Sequence, residues 1–245
     1  SLWDDFNDGD LPASLTDKVV PGSDVLVLKW ASSNTGLSFN NMNVNADAIV
    51  VGSNSIGQGT MLIVTDCSGG DAFQSFPSVS GNAVTKASGG AGWTPGNASG
   101  GGNANNWSHQ YNSNADILFF TSRAFYVGEG ASGEPSLYRV SYSQGGTAAV
   151  HEELAEGIEN MQVLFGLDTD GNGIVERYVT GTDLATHDDV VALKVALLAR
   201  SPDEVKSTAS SDSYTLLGTS ITTPSDRRLR YVFTTTVKLR NKGVK

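Results

Sequence analysis

Short apolar runs alternate along the chain with polar stretches rich in Gly, Ser and Asn, and the runs have the length of strands rather than helices. Asp24–Trp30 (DVLVLKW), Ala48–Val51 and Met61–Val64 are Leu-rich or β-branched runs bounded by turn-forming residues. Ile117–Val127 (ILFFTSRAFYV) and Leu137–Tyr142 flank GEGASGEP, a connection suited to a hairpin. Ile158–Leu167 and Val190–Ala199 (VVALKVALLA) are the longest apolar stretches. Tyr231–Leu239 (YVFTTTVKL) has the β-branched density and alternation of a half-buried strand. The pattern predicts a mainly β chain with antiparallel sheets and long loops.

Helical signal is thin. VHEELAEGIENM, ahead of the Ile158 run, contains the helix formers Glu, Leu and Ala and predicts a turn or two of helix. SPDEVKS, from Ser201, carries a capping Ser, a Pro in first position and acids in the first turn, and predicts one short helix or turn. From Ser88 to Asn114 the composition shifts to Gly, Asn, Ala and Ser. Such a segment buries too little apolar area to order itself, yet it holds Trp93, Trp107 and Tyr111. It reads as a surface loop pinned by its aromatics or, more sharply, as a docking loop. With no internal repeat and no clear boundary, residues 1–245 read as a single domain.

Composition narrows the function classes. The net charge of −10 argues against nucleic acid, whose phosphates demand clustered Lys and Arg. The one basic cluster, Arg227, Arg228, Arg230, Lys238, Arg240, Lys242 and Lys245, falls in and beyond a strand-like run and reads as an exposed strand face. Charged residues make up only 17%, so hydroxyl and amide groups supply most of the polarity, as is common in secreted β-proteins. The lone Cys67 has no partner within the chain: it is a small buried hydrophobe, or it pairs with a segment outside this one. No run of about 18 apolar residues and no signal peptide is present, and the chain begins at Ser1 as a processed or truncated fragment does.

No enzyme signature emerges. The chain has no Gly-x-Ser-x-Gly elbow and no phosphate-cradling Gly-x-x-x-x-Gly-Lys loop. HEELA at His151 begins like a zinc-protease helix but places Ala155 where the second His must stand. DCSGGD from Asp66 sets Cys67 and Ser68 beside glycines and reads as a strand ending in a turn. His109 and His187 lie in Asn- and Asp-rich loop contexts.

One stretch carries candidate chemistry. GLDTDGNGIVERY (Gly166–Tyr178) places Asp168, Asp170 and Asn172 at alternate positions, bends at Gly173, and follows with the Ile174 carbonyl and Glu176. That spacing matches positions 1, 3, 5, 6, 7 and 9 of a helix-hand calcium loop, with apolar Val175 at position 8. Position 12, which calls for a bidentate acid, is Val179, so further oxygens would have to come from Asp183, Asp188 or Asp189. The competing reading is a metal-free β-hairpin, because Asp-Gly and Asn-Gly supply the positive φ angles of tight turns. The two readings share a topology.

LAEGIENMQVLFGLDTDGNGIVERYVT (Leu154–Thr180), VVALKVALLARSP and DRRLRYVFTTTVKLRN strongly resemble the C-terminal half of PilW-type minor pilins of type IV pili. GSDVLVLKW and TMLIVTDCSGGDAFQ resemble the earlier blocks of that family. The resemblance implies a pilin-like α+β subunit, exported, cleaved by a prepilin peptidase and assembled near the pilus tip. Its partners would be other minor pilins, the tip adhesin and the major pilin, with roles in pilus assembly, adhesion and twitching motility. It also implies an N-terminal apolar helix, absent from these residues, that anchors the subunit in the inner membrane before assembly. J-type pseudopilins of type II secretion are the nearest relatives in assembly logic. Readings from other classes are a secreted carbohydrate-binding or adhesin module stacking sugars on Trp93 and Trp107, and a hydrolase with an unrecognised site.

Overall fold

The structure, a computed structural model, describes residues 15–46, 48–53, 56–66, 68–75, 81–86, 97, 107–142, 149–185 and 189–239. Fifteen strands and no helix occur among them. In chain order they are β1 (Leu26–Asn34), β2 (Phe39–Met42), β3 (Ala48–Val51), β4 (Met61–Asp66), β5 (Gly69–Gln74), β6 (Ala83–Thr85), β7 (Asp116–Glu129) and β8 (Pro135–Tyr142). They continue as β9 (Ala149–Glu156), β10 (Ile158–Leu167), β11 (Arg177–Val179), β12 (Val190–Glu204), β13 (Ser213–Leu216), β14 (Thr219–Thr222) and β15 (Arg228–Lys238).

Every pairing between these strands is antiparallel. A six-stranded sheet runs β5-β4-β7-β8-β9, with β1 also on β7, and a four-stranded sheet runs β11-β10-β12-β15. A three-stranded sheet, β2-β3-β6, and the β13-β14 hairpin complete the set. The long β7 changes partners along its length: β4 takes residues 116–119, β1 residues 118–125 and β8 residues 123–129.

Alternation places successive side chains on opposite faces. On β12, Leu193, Val195, Leu197 and Ala199 pack with Met161, Val163, Phe125 and Val127 in one core, while Ala196 and Leu198 pack under Leu216 of the β13–β14 hairpin. Cover on both faces explains why VVALKVALLA reads as a continuous apolar run. A second core gathers Ile49, Leu62, Val64, Phe73 and Ile117.

The two segments expected to form short helix or turn lie largely in strands. VHEELAE is β9, paired with β8 from Tyr142↔Ala149 to Ser136↔Glu156, so tertiary pairing overrides a weak local preference. SPDE from Ser201 is the end of β12, where Glu204 pairs with Arg228. Between β9 and β10 stands the single residue Gly157, at φ +80°, with its N–H bonded to Pro135 O and its C=O accepting from Arg200 N–H. A Cβ there would lie 3.0 Å from Arg200 O, so the corner where the chain leaves one sheet for the other requires glycine.

The tail of the Gly/Asn-rich segment, from Trp107, packs into the second core. Trp107 is 3% exposed and Tyr111 2%, and both belong to the second core. Trp107 meets Phe73 edge-on and donates Nε1–H to Ala46 O at 2.9 Å. The Gln110 amide donates to Met42 O and accepts from Val44 N–H, so this tail is held as an extra strand would be. Trp107 is therefore a core residue and offers no stacking platform, which corrects that part of the carbohydrate-binding expectation. Trp93, Cys67, His187, Asp188, Arg240, Lys242 and Lys245 lie outside the described residues.

The basic cluster is a solvated face only in part: Arg227 and Lys238 are exposed, whereas Arg228 and Arg230 turn inward. The Arg230 side chain is fully buried; its Nε lies 2.6 Å from Glu159 Oε2, and its two Nη atoms bind both oxygens of Asp226. Arg228 and Arg200 both reach Glu134, and Arg200 also reaches Glu159. Asp226 and then Glu159 hold the Arg230 guanidinium above its ordinary pKa, and the Arg230 hydrogen bonds hold Asp226 well below the usual carboxylate range. Truncating one partner of a buried pair leaves an uncompensated charge. Arg230→Ala is predicted to destabilise by about 3 kcal/mol, the low end of that effect because Arg200 still serves Glu159. Urea unfolding of the two proteins measures it, and a loss under about 1 kcal/mol would show that the network contributes little.

Candidate functional site

The Asp168 stretch folds as the nine-residue connection between β10 and β11, longer than a tight turn. Antiparallel pairing of Phe165 with Val179 and Leu167 with Arg177 brings its ends together, and Glu176 N–H closes it onto Leu167 O at 2.9 Å. Gly171 and Gly173 stand at φ +79° and +81°, the conformation expected after Asp170 and Asn172.

Asp168 is the hub. It is 5% exposed; its Oδ1 accepts from Gly171 and Asn172 N–H at 2.7 and 3.0 Å, and its Oδ2 from Gly173 N–H at 2.8 Å. Burial pushes its carboxyl pKa up, but the three backbone donors outweigh burial and leave it below the ordinary value. Asp170 accepts from the backbone and side-chain amides of Asn172, and Asn172 Oδ1 accepts from Ile174 N–H. Glu176 Oε2 reaches back to Thr169 N–H at 2.7 Å.

The fold brings three of the five predicted residues, Asp168, Asp170 and Glu176, together. One carboxylate oxygen each from Asp168, Asp170 and Glu176 lie within 4.8 Å of one another. They offer three carboxylate oxygens of the kind hard cations take, while the Asn172 side-chain amide is engaged with Asp170 and with Ile174 N–H. The supplementary acids are placed differently. Asp183 Oδ2 accepts from the Thr180 hydroxyl at 2.6 Å, and Asp189 offers its backbone C=O to Asp168 N–H. Val179, at the twelfth position, packs against the first core beside Phe165, which is why no acid stands there. Sequence reading missed Lys238, whose Nζ donates to Gly173 O at 3.1 Å and ties the loop to the end of β15. Sixty-five residues separate the two, so no local pattern announces the contact.

The histidines are placed as follows. His109 Nε2 lies 3.2 Å from Asp66 Oδ1, and its Nδ1 3.3 Å from Ser108 Oγ. The Ser108 hydroxyl is committed to Asp71 Oδ2 at 2.9 Å, which also accepts from Ser108 N–H and Tyr111 O–H. These bonds fasten residues 108–111 onto β4 and β5. Asp66 accepts from Ser68 and Gly69 N–H, so the DCSGGD segment is the turn of a hairpin. His151 Nδ1 meets the O–H of Tyr126, which is buried with Leu15, Ala124 and Val140, at 3.0 Å, and burial pushes the Tyr126 pKa up to about 12.

The described chain is thus a multi-sheet antiparallel scaffold with one acidic, oxygen-lined loop and exposed strand edges. Residues 124–241 match the family described as Type IV Pilus-assembly protein W. The earlier blocks that resemble it, Gly22–Trp30 and Thr60–Gln74, precede the matched span. No curated protein and no solved structure matches the chain. The family associates the chain with type IV pilus assembly at the cell envelope and with other pilus components. Among the described residues no helix is long and apolar enough to cross a membrane.

The depressed Asp168 carboxyl fixes the sign of a pH effect. Its folded value lies below its unfolded value of about 3.9, so its contribution is present above that pH and is lost as pH falls through the folded value. Exchange protection of the Gly171 and Gly173 amides is expected to hold to about pH 4 and to fall below it. Asp168→Asn should lower that protection at neutral pH. Protection that ignores both acid and the substitution would show that the carboxylate does not organise the loop.

Proposed function

We propose that this chain is a minor pilin, a non-catalytic subunit that helps initiate type IV pilus assembly in the tip complex by binding other minor pilins and the tip adhesin. The match over residues 124–241 carries the reading. Supporting it are extended, sheet-edge surfaces of the kind that bind through main-chain hydrogen bonds. In this reading an apolar helix upstream anchors the subunit in the inner membrane, as in the pilin-like α+β arrangement, before it moves into the fibre. Adhesion and twitching motility would depend on it through the pilus. Deleting the gene is expected to reduce surface piliation while synthesis of the major subunit continues. Normal piliation, twitching and adhesion in the deletion strain would sink the role. Lost type II secretion with intact pili would instead identify a J-type pseudopilin.

We further propose that Asp168, Asp170, Asn172, Ile174 and Glu176 bind calcium weakly. An ion would offset the repulsion of three carboxylates that lie within 4.8 Å. With an incomplete ligand set the Kd is expected at about 10⁻⁴–10⁻³ M, as in extracellular modules. Calcium at about 100 Kd would then add roughly 2.7 kcal/mol to stability. Millimolar calcium should raise the melting temperature and magnesium should not, because magnesium demands stricter octahedral geometry. Asp168→Ala should erase the rise. So should Asp170→Asn, which leaves the three Asp168 bonds in place. A melting temperature indifferent to both calcium and chelator would show that the loop closes by its own hydrogen bonds alone.

A further inference from the structure

The strand edges of this fold are not equally protected. Exposed edges invite pairing with other chains, and folded proteins block them with charge, bulges, short length or cover. β9 carries Glu152, Glu153 and Glu156 along its edge of the six-stranded sheet. β1 has Lys29 and a bulge between Ala31 and Asn34. β11 is three residues long. On β5 the Asn97 side chain stands in for a strand, accepting from Gln74 N–H and donating to Gln74 O.

Among the described residues β15 has none of these devices from Tyr231 to Val237. It closes one side of the four-stranded sheet, and its register with β12 is unbroken from Arg230 to Lys238. Leu239 N–H donates to Val191 O, which sets the alternation: odd residues bond to β12, and residues 232, 234, 236 and 238 aim their N–H and C=O groups outward. On the odd-residue face Leu229, Tyr231, Phe233 and Val237 are 55, 66, 56 and 49% exposed. This face continues the apolar surface of Leu193 and Leu197 beyond the edge of the core.

Charge selects the occupant. Arg228 and Arg230 are matched by Glu134, Glu159 and Asp226, whereas Lys238 Nζ rests on the neutral Gly173 carbonyl. A second copy paired antiparallel about Thr234 places the neutralised Arg230 opposite Lys238, so it brings Lys238 no carboxylate, and it joins two chains of net charge −10. A different chain with a carboxylate at the end of its strand gives Lys238 an opposite charge. We infer that the free edge of β15 takes up an extended strand of another pilus subunit, apolar at alternate positions and acidic where it meets Lys238. This inference rests on the minor-pilin reading and adds to it the surface and the partner's chemistry.

Residue-resolved amide exchange on the full chain tests it, with a synthetic alternating Val/Thr peptide flanked by Asp and a Lys-flanked twin as probes. The Asp-flanked peptide should slow exchange of the Val232, Thr234 and Thr236 amides about tenfold or more, leaving Phe233, Thr235 and Val237 unchanged. Thr234→Pro with Thr236→Pro removes only outward N–H groups, which edge strands tolerate, and should abolish the protection. Should that variant melt early, Thr234→Lys with Thr236→Lys serves the same purpose by charge. In cells either double variant should fail to restore piliation to the deletion strain. Absent protection, equal protection by the Lys-flanked peptide, or a dimer that the variants dissolve would overturn the inference, the dimer in favour of a second copy. Full rescue by the variants overturns the edge and leaves the subunit role standing. Normal piliation in the deletion strain overturns the role itself.

Discussion

Arg200 and Arg230 face each other directly across the β12–β15 ladder, a like-charge pair that a sheet cannot hold unaided. Three carboxylates from three separate places make it tenable: Glu159 from β10, Asp226 from the approach to β15, and Glu134 from the turn before β8. Burial and the neighbouring Arg228 and Arg230 charges pull Arg200 below its ordinary value, which Asp226 partly offsets. The requirement for neutrality therefore fixes how β10, β12 and β15 sit against the β7–β8 hairpin. The large sheet and the four-stranded sheet cannot shift relative to each other without separating these charges.

Much of the framework is legible in the sequence, because apolar runs mark strands whatever their partners. Ala48–Val51 and Ile158–Leu167 coincide with β3 and β10, and the Gly/Pro-rich GEGASGEP does join β7 to β8. Errors gather where distant residues decide. HEELA has a helix former's composition, yet β8 makes it a strand. Arg227–Arg230 look like a solvated run, and only the folded chain brings Glu159, 71 residues away, against Arg230. Trp107 looks free in a Gly/Asn stretch, and only the fold seats it on Phe73.

The Asp168 loop is the converse case, since its candidate ligands lie within nine residues and the convergence of Asp168, Asp170 and Glu176 follows from local spacing. What the local pattern hides is the contact beyond it, from Lys238 to the Gly173 carbonyl. That bond joins the acidic loop to the strand whose edge is left open, so the two surface features of this half of the chain share one end of one sheet.

The distribution of pairings along the chain sets when each can close. From β7 onward, β7–β8, β8–β9, β10–β11 and β10–β12 join strands near in sequence, and Arg230 finds Arg200 only 30 residues back. β1 instead finds its partner across the interval from Leu26 to Phe125, with a correspondingly larger loop-closure cost. Chains are synthesised from the N-terminus, so β1 emerges first and waits about a hundred residues for β7. Until then Leu26, Leu28 and Trp30 have no strand to lie against, and the interval falls within the time the chain depends on being kept from aggregation.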